Sequence, residues 1–286
     1  MTLAIVVSVL IRISVGILVF ALGLDVSPRD ILYLLRDRAL LLSSVLSMNV
    51  LMPLFAGALA VSFKLEPAVE AALVILSISP VPPLLPMQAL RARGARSYMF
   101  SLLVVEAALA ILFVPISVKL FWWTDRNQPE IGLMTVAFVV LTTVLIPLGA
   151  GMLMHRISPR IARKAARRLS IVAAIVLIGT LVAILIKFFT TVVSLIGNGT
   201  LAATIVFIAA GVAAGHFLGA PKPENRTVLA LSTASRHPGV ALAIAGAIYP
   251  QPKLVFAAIL LYILVTAAVL IPYLAWRRRR IEPDSG

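Results

Sequence analysis

The sequence predicts an all-α polytopic membrane protein, and three observations support this fold class. Of the 286 residues, 61% are hydrophobic and only 13% are charged, whereas soluble domains are near half apolar and a quarter charged. The apolar residues form long runs between short polar connectors, and the basic residues collect in alternate connectors. This apolar surplus excludes a soluble enzyme and a disordered chain, and the lack of cysteine excludes a disulfide scaffold and thiolate chemistry.

Nine apolar runs are long enough to be membrane spans, since a spanning helix needs about 20 mostly apolar residues. The first run has neither a charged segment before it nor a small-residue cleavage site, so we interpret it as a retained helix and not as a signal peptide. The predicted spans are residues 3–24, 39–62, 69–90, 97–121, 131–154, 169–190, 199–219, 227–249 and 253–275.

The basic residues predict the orientation of the chain. Eighteen of the 25 Lys and Arg residues fall in connectors 1–2, 3–4, 5–6 and 7–8 and after the last span, against four on the other side. The positive-inside bias therefore predicts an outside N-terminus and a cytoplasmic basic tail over 276–286. Topology accounts for the net charge of +14, so we predict contact with anionic lipid headgroups and no nucleic-acid binding.

Two of the predicted spans contain helix breaks. Span 3 holds four prolines within seven residues, which remove backbone donors and clash with the preceding turn. Span 8 holds a proline and a glycine at mid-span, directly after an arginine and a histidine. The residues at these breaks are Pro80, Pro82, Pro83 and Pro86 in span 3, and Arg236, His237, Pro238 and Gly239 in span 8.

The two breaks also repeat a pattern. Leu76-Ser77 precedes Pro83 at the spacing at which Leu231-Ser232 precedes Pro238, with an offset of 155 residues. Under the predicted topology spans 3 and 8 run in opposite directions, which is typical of a secondary transporter built from inverted repeats. We predict one transporter domain over 1–286, with a first repeat at about 1–121 and a second at about 131–275. Two Pro-kinked structural helices are the alternative.

At these residues the chain resembles the bile acid:sodium symporter family. That resemblance implies two crossing discontinuous helices behind a substrate crevice, and transport as the activity. The order and spacing of the matching segments, more than any single motif, identify the chain as a divergent bacterial member of this family. The matching segments are Gly23 to Asp30, Met52-Pro53, Ser79-Pro80 through Gly94, Pro115, and Ala230-Leu231-Ser232 through Ala241.

The chain departs from the family pattern at the expected sodium ligands. The resemblance implies oxygen ligands in spans 2, 3, 4 and 8 of members with two sodium sites. Na⁺ prefers oxygen ligands, and a fixed cation repels it. We therefore predict that both sodium sites are missing and that the chain holds no metal or cofactor. The residues at the expected ligand positions are Met48, Leu85, Pro86, Met99, Leu103, Ser232 and Arg236.

Ionisable residues inside a span are costly and each needs a partner or a function. Arg236 is predicted to replace Na⁺ electrostatically and to attract an anionic substrate; the alternative is a structural ion pair with Glu106, the only acidic residue well inside a predicted span. Glu106 or His237 would also serve as a proton carrier, although His237 has a packing role as its alternative. Arg12 is predicted to be a second cationic wall or a second partner for Glu106.

Uncharged polar residues near the breaks are predicted to line the substrate path. In lipid such groups usually bond only between helices, but their concentration around the breaks favours a site. The predicted lining residues are Asn49, Ser77, Ser79, Ser232, Thr233 and Ser235.

The sequence thus predicts a multi-pass carrier of the bacterial inner membrane that moves a small organic anion by alternating access. Coupling to protons, to an exchanged anion or to nothing stays open, as does a homodimer. The alternatives are a conventional sodium symporter with shifted ion sites and a transport-inactive receptor or scaffold. We expect no enzymatic activity, since neither a nucleophile motif nor a pair of close carboxylates is found.

Overall fold

The computed structural model describes residues 3–121, 134, 138, 140–197, 199–219, 221–249 and 251–280. Within these ranges every regular element is helical and no strand occurs. Five of the described helices are long and apolar enough to cross a membrane, and three shorter apolar helices accompany them. The described part of the chain is therefore all-helical, and its long apolar helices are consistent with a polytopic membrane protein. The beginnings of span 5 and of the second repeat, and the end of the basic tail, lie outside the described residues.

Eleven helices are labelled here in chain order, and two single helical turns, Pro28–Ile31 and Tyr33–Arg36, join the first to the second. The helices are α1 Leu3–Gly23, α2 Arg38–Ser62, α3 Pro67–Ser77, α4 Leu85–Arg91, α5 Arg96–Phe121, α6 Leu141–Ile157, α7 Pro159–Ser194, α8 Thr200–Leu218, α9 Pro223–Ala234, α10 Pro238–Ile248 and α11 Lys253–Arg280.

Both predicted breaks interrupt a helix. Span 3 divides into α3 and α4, separated by residues 78–84, and span 8 divides into α9 and α10, separated by residues 235–237. Pro86 and Pro238 lie in the first two positions of the helices that follow, where a missing N–H costs nothing. The prolines thus end one helix and begin the next.

Helix α2 widens into a π-helical segment over Leu46–Leu51, immediately before Met52 and Pro53. Helix α6 has the same feature over Leu141–Leu145, immediately before Ile146 and Pro147. A proline lacks the N–H that an α-helix needs and clashes with the carbonyl four residues earlier. A wider turn relieves that clash and leaves backbone groups available to other partners.

Helix α7 begins ten residues earlier than the predicted span 6. The basic stretch after Ser158 was predicted to be a connector, but it is helical from Pro159 onward. Arg, Lys and Ala are strong helix formers, so the helix extends beyond its apolar part. Hydropathy marked where the apolar segment starts and not where the helix starts.

Four contacts bring the Arg-rich connectors and the C-terminal helix to one end of the bundle. They join connector 1–2 to connectors 3–4 and 5–6, connector 3–4 to connector 7–8, and connector 7–8 to α11. The contacts are those of His155 with Leu24, Arg96 with Asp25, Ala95 with Glu224, and Arg277 with Pro223. This common end fits the predicted distribution of basic residues. Its assignment to the cytoplasmic side stays a prediction.

Helix α8 packs closely against α9 through three glycines spaced four residues apart. A Cβ on Gly215 would lie 2.4 Å from the Leu229 carbonyl oxygen, and one on Gly219 would lie 2.4 Å from the Arg226 Cα. A Cβ on Gly211 would lie 2.9 Å from the Ala234 Cα. Small residues at this spacing let two membrane helices approach backbone to backbone. They position α9, and with it the second break.

Candidate functional site

The two helix breaks contact each other. The backbone N–H of His237 donates to the carbonyl oxygen of Pro80 at 2.9 Å. On either side of this bond, α3 packs on α10 and α4 packs on α9, so the first half of each interrupted helix contacts the second half of the other. The interrupted helices therefore cross at their breaks, which brings together backbone groups that lipid could not satisfy.

Arg236 is the charged group at this crossing and is only 3% exposed. One guanidinium nitrogen donates to the carbonyl oxygen of Met48 at 2.8 Å, and the other terminal nitrogen donates to the carbonyl oxygen of Ser79 at 3.2 Å. Met48 lies in the π-helical segment of α2, and Ser79 lies in the first break. Arg236 therefore joins both breaks and α2 through charge-assisted hydrogen bonds.

The electrostatic environment of the crossing favours a cation. Helices α3 and α9 both end there, and the C-terminus of a helix carries partial negative charge on its free carbonyls. The Tyr262 hydroxyl of α11 satisfies one of these carbonyls by donating to Ala234 at 2.6 Å. The Arg236 charge thus lies where carbonyl dipoles converge, which lowers the cost of burying it.

His237 caps the N-terminus of α10 and is 6% exposed. Its Nδ1 accepts a hydrogen bond from the Val240 N–H at 3.4 Å, so Nε2 carries the proton in the neutral ring. Nε2 is buried without a hydrogen-bond partner. Gly239 makes room for the ring, since a Cβ there would lie 3.1 Å from the imidazole Cε1.

Three of the predicted lining hydroxyls have hydrogen-bond partners. Ser77 and Ser79 donate to carbonyls of their own helix, Val74 and Ile75, at 2.7 and 2.8 Å, which favours a local structural role for both. Thr233 bonds Ser47 of α2 at 2.8 Å and holds α9 against the π-helical segment.

Ser232 is fully buried and its hydroxyl has no hydrogen-bond partner, and Nε of Arg236 is unpartnered as well. Ser235 is a buried residue at the end of α9, within the second break. Ser232, Arg236 and His237 thus each have an unpaired buried polar atom.

The ion pair between Arg236 and Glu106 was one of the two alternatives for Arg236. The structure describes both side chains and places no ion pair between them. The guanidinium is bound by the Met48 and Ser79 carbonyls. With the Asn49 amide nitrogen turned toward Glu106, that nitrogen lies 3.1 Å from Oε2 and 3.2 Å from Oε1. Arg236 and Glu106 thus bind consecutive residues of one π-helical segment and not each other.

Arg12 does not lie at the crossing. Its side chain is exposed on α1, and α1 packs mainly on α6 and α7. The predicted roles as a second cationic wall and as a partner of Glu106 are therefore not supported by its position. The apolar run of span 1 could not show which face of the helix Arg12 occupies.

The sequence analysis missed two contacts at the crossing, those of the Tyr262 hydroxyl and of the Met48 carbonyl, and one earlier in α2, that of Tyr98. Tyr262 bonds the end of α9, and Tyr98 bonds Ser44 of α2 at 2.8 Å with its hydroxyl. Buried tyrosines in apolar helices usually have such a partner, and this was the available signal. The Met48 carbonyl was signalled only by the nearby Pro53, because a proline frees backbone groups in the turn before it.

The residues at the expected sodium-ligand positions other than Arg236, Ser232 and Pro86 lie in the apolar core. Their exposed fractions are 0–1%, and they pack within one continuous hydrophobic cluster: Met48, Leu85, Met99 and Leu103. These side chains offer no oxygen ligand. Among the described residues, no group of three or more His, Asp or Glu side chains could hold a metal ion.

A family model described as the sodium bile acid symporter family matches residues 12–198. The match includes the first interrupted helix and ends before α8, so it does not include the second break. Among curated proteins, none matches the chain. The family match agrees with the resemblance seen in the sequence and extends over well more than half of the chain.

Proposed function

The chain belongs to the sodium bile acid symporter family, and we propose that it is a secondary active transporter of a small organic anion. Transport by alternating access would proceed through motion around the crossing of the two interrupted helices. The guanidinium of Arg236 would take the electrostatic place that bound sodium has in other members. The carrier would therefore not be coupled to sodium.

The observation that supports this proposal best is the pair of bonds from Arg236 to the carbonyls of Met48 and Ser79. A sodium ion at a helix crossing would be held by the same class of ligand, a backbone oxygen from more than one segment. A tethered guanidinium performs this role without leaving the protein. It provides a permanent positive charge at the crossing in every step of the cycle.

An anionic substrate is supported by the unpaired polar atoms of the crossing. Nε of Arg236 and Nε2 of the neutral His237 ring are hydrogen-bond donors, and both are buried without a partner. A carboxylate, sulfonate or phosphate group offers acceptor oxygens and a negative charge that such donors bind well. The hydroxyl of Ser232, also buried and unpartnered, would complete the set.

A conventional sodium symporter with shifted ion sites is the second candidate, and the family match favours it. Backbone carbonyls and the hydroxyls of Ser232 and Thr233 would then supply the ion ligands. This candidate requires Na⁺ to bind close to the Arg236 charge, which repels it. The two candidates therefore differ in whether Na⁺ stabilises the protein.

The test is ligand binding by the purified protein and by Arg236→Gln. The melting temperature in detergent is measured against a panel of short carboxylates, sulfonates and phosphates, because a ligand of the folded state must raise it. We expect at least one anion to stabilise the wild type, and Arg236→Gln to bind it about tenfold or more weakly, since a bond to a charged group contributes about 1.5–3 kcal/mol.

The matched control is Arg168→Gln, which removes an exposed arginine from the basic part of α7. Anions that bind nonspecifically to basic surface would lose affinity in both variants. Unchanged anion affinity and unchanged flux into proteoliposomes for Arg236→Gln would exclude Arg236 from the site. Stabilisation by an anion without any flux would favour the receptor alternative.

A further inference from the structure

Glu106 is buried in α5, where the side-chain amide of Asn49 contacts it and no ion pair with a described residue is formed. Its exposed fraction is 2%, and the side-chain amide of Asn49, in the π-helical segment, bonds it when the amide nitrogen is turned toward the carboxyl group. An ionised carboxylate buried without an ion pair is costly, and uptake of a proton removes that cost. The proposed function does not use this carboxylate.

The Asn49–Glu106 contact satisfies either protonation state. An ionised carboxylate only accepts hydrogen bonds, so the amide nitrogen of Asn49 must face it, at 3.1 and 3.2 Å from the two oxygens. A protonated carboxyl group donates one bond, so the amide oxygen must then occupy the same position. A half turn of the amide exchanges oxygen and nitrogen without moving the backbone.

We propose that Glu106 takes up and releases a proton and that Asn49 reports its state to the crossing by turning its amide. In the proton-uptake step, water supplies the proton and one carboxylate oxygen of Glu106 forms the O–H bond; release returns the proton to water. The turned amide then presents a donor in place of an acceptor on its far side. Asn49 directly follows Met48, and the Met48 carbonyl accepts a hydrogen bond from Arg236.

The same step changes the net charge at the crossing. While Glu106 is ionised, its negative charge partly offsets the positive charge of Arg236. The two groups contact the consecutive residues Asn49 and Met48 of α2. When Glu106 is neutral, the Arg236 charge has no offset there and attracts an anion more strongly. Proton and anion would thus bind cooperatively, and by linkage each would raise the affinity for the other. This coupling rests on the proposed function, whereas the protonation of Glu106 does not.

Few other titratable or charged groups face Glu106. Arg236 acts on the charge of Glu106 without forming an ion pair with it, and the Tyr98 hydroxyl, bound to Ser44, lies two turns earlier on α5. Of the charged connector residues, Asp30 bonds Ser97 and the Glu224 carbonyl accepts a bond from the Ala95 N–H, both near the start of α5. That end lies roughly 13 Å along the helix from Glu106, at about 1.5 Å per residue. The connector bonds to Ser101, farther along α5, involve the backbone of the uncharged Ile31 and Leu34.

The protonation is tested by infrared difference spectroscopy of the wild-type protein in liposomes during a pH titration. We expect a titrating carbonyl band of a protonated, hydrogen-bonded carboxyl group. Glu106→Gln, a neutral and nearly isosteric variant, should lack this band, and Asn49→Leu should retain it at a higher frequency because the hydrogen bond is lost. Glu66→Gln, which removes an exposed carboxylate, is the control and should leave the band unchanged.

A band that survives in Glu106→Gln, or that does not move in Asn49→Leu, would overturn the proposal. The coupling is tested by sulfonate binding at several pH values, since a sulfonate stays ionised throughout. The wild type should bind it at least about fivefold more tightly when Glu106 is protonated, and Glu106→Gln should bind it without this pH dependence. An intact band without pH-dependent binding would overturn the coupling alone, and absence of any anion binding would count against the proposed function.

Discussion

The carboxylate of Asp30, in connector 1–2, joins that connector to the start of α5. It accepts bonds from the Ser27 N–H at 3.0 Å, from the Ser27 hydroxyl at 2.7 Å and from the Ser97 hydroxyl. Partial burial opposes ionisation, but the bonds from Ser97 and Ser27 outweigh it, with a smaller contribution from Arg96, and lower the pKa of Asp30. A carboxylate whose pKa is lowered in the folded state stabilises that state at pH values above the pKa of the unfolded chain. This stabilisation is lost as the pH falls through the pKa of the folded state.

Asp30→Asn should therefore lower the free energy of unfolding at neutral pH by about 1 kcal/mol or less, as for loss of a partly exposed capping carboxylate. The measurement is the melting temperature of both proteins in detergent from neutral pH to about pH 3, below the usual pKa of a carboxyl group. The difference between the two curves should shrink toward the acidic end. A difference that stays constant with pH would mean that the Asp30 charge has no part in it.

Arg236 shows a different effect at the same scale. A single side chain bonds two segments and has its charge stabilised by carbonyls and not by a carboxylate. Because guanidinium is planar and carries five N–H donors, it binds carbonyls in two directions at once. Lysine at this position would lack that geometry.

At the scale of elements, Gly211, Gly215 and Gly219 have no side chain, and this lets the backbones of α8 and α9 pack directly against each other. This pair has more extensive contact than any other two helices of the described chain. Since α9 carries the second break at its end, the glycines determine how close that break comes to α2 and α3. Helix packing and site geometry therefore depend on each other here.

Gly215→Ala should destabilise the protein, because the new Cβ would lie 2.4 Å from the Leu229 carbonyl oxygen and 2.6 Å from the backbone of Ala230. Overpacking of this kind costs about 1–3 kcal/mol. The measurement is thermal unfolding in detergent. Gly179→Ala is the matched control: a Cβ there has nothing within 4 Å, so it should be neutral or stabilise α7 by up to about 1 kcal/mol. Equal stability of the two variants would contradict the close packing of α8 on α9.

At the scale of the whole molecule, family membership and ion chemistry suggest different couplings. The family model is that of sodium symporters, whereas the described crossing holds an arginine where sodium ligands are expected. The interrupted helices still cross through the bond between His237 and Pro80. The described crossing thus keeps its backbone bond with Arg236 as its cation.

Sodium should therefore have no specific effect on the intact protein. We expect the same melting temperature in Na⁺ and in K⁺ at constant ionic strength, and anion flux into proteoliposomes that does not depend on a sodium gradient. The same melting temperatures are measured for Arg236→Gln, because removing the fixed charge removes the repulsion that opposes cation binding. A higher melting temperature of the wild type in Na⁺ than in K⁺ would favour the conventional symporter.

The sequence by itself determined the membrane class, the approximate position of the apolar helices and the two breaks, since these depend on local composition. Long apolar runs require lipid, and prolines such as Pro80 and Pro238 interrupt helices wherever they occur. The resemblance to the family also followed from the chain, and the family match agrees with it. The sequence also identified Arg236 and Glu106 as charged groups that need a partner or a function, and Asn49 as a lining residue.

Only the tertiary structure decided which partners these groups have. The bonds of Arg236 to Met48 and Ser79 join residues more than 150 positions apart, and they depend on the rotation and depth of three segments. Glu106 faces Asn49 and Arg12 faces outward for the same reason. Apolar runs are nearly uniform around the helix, so their pattern does not specify which face meets a neighbour. Close packing, through glycines such as Gly215, specifies it instead.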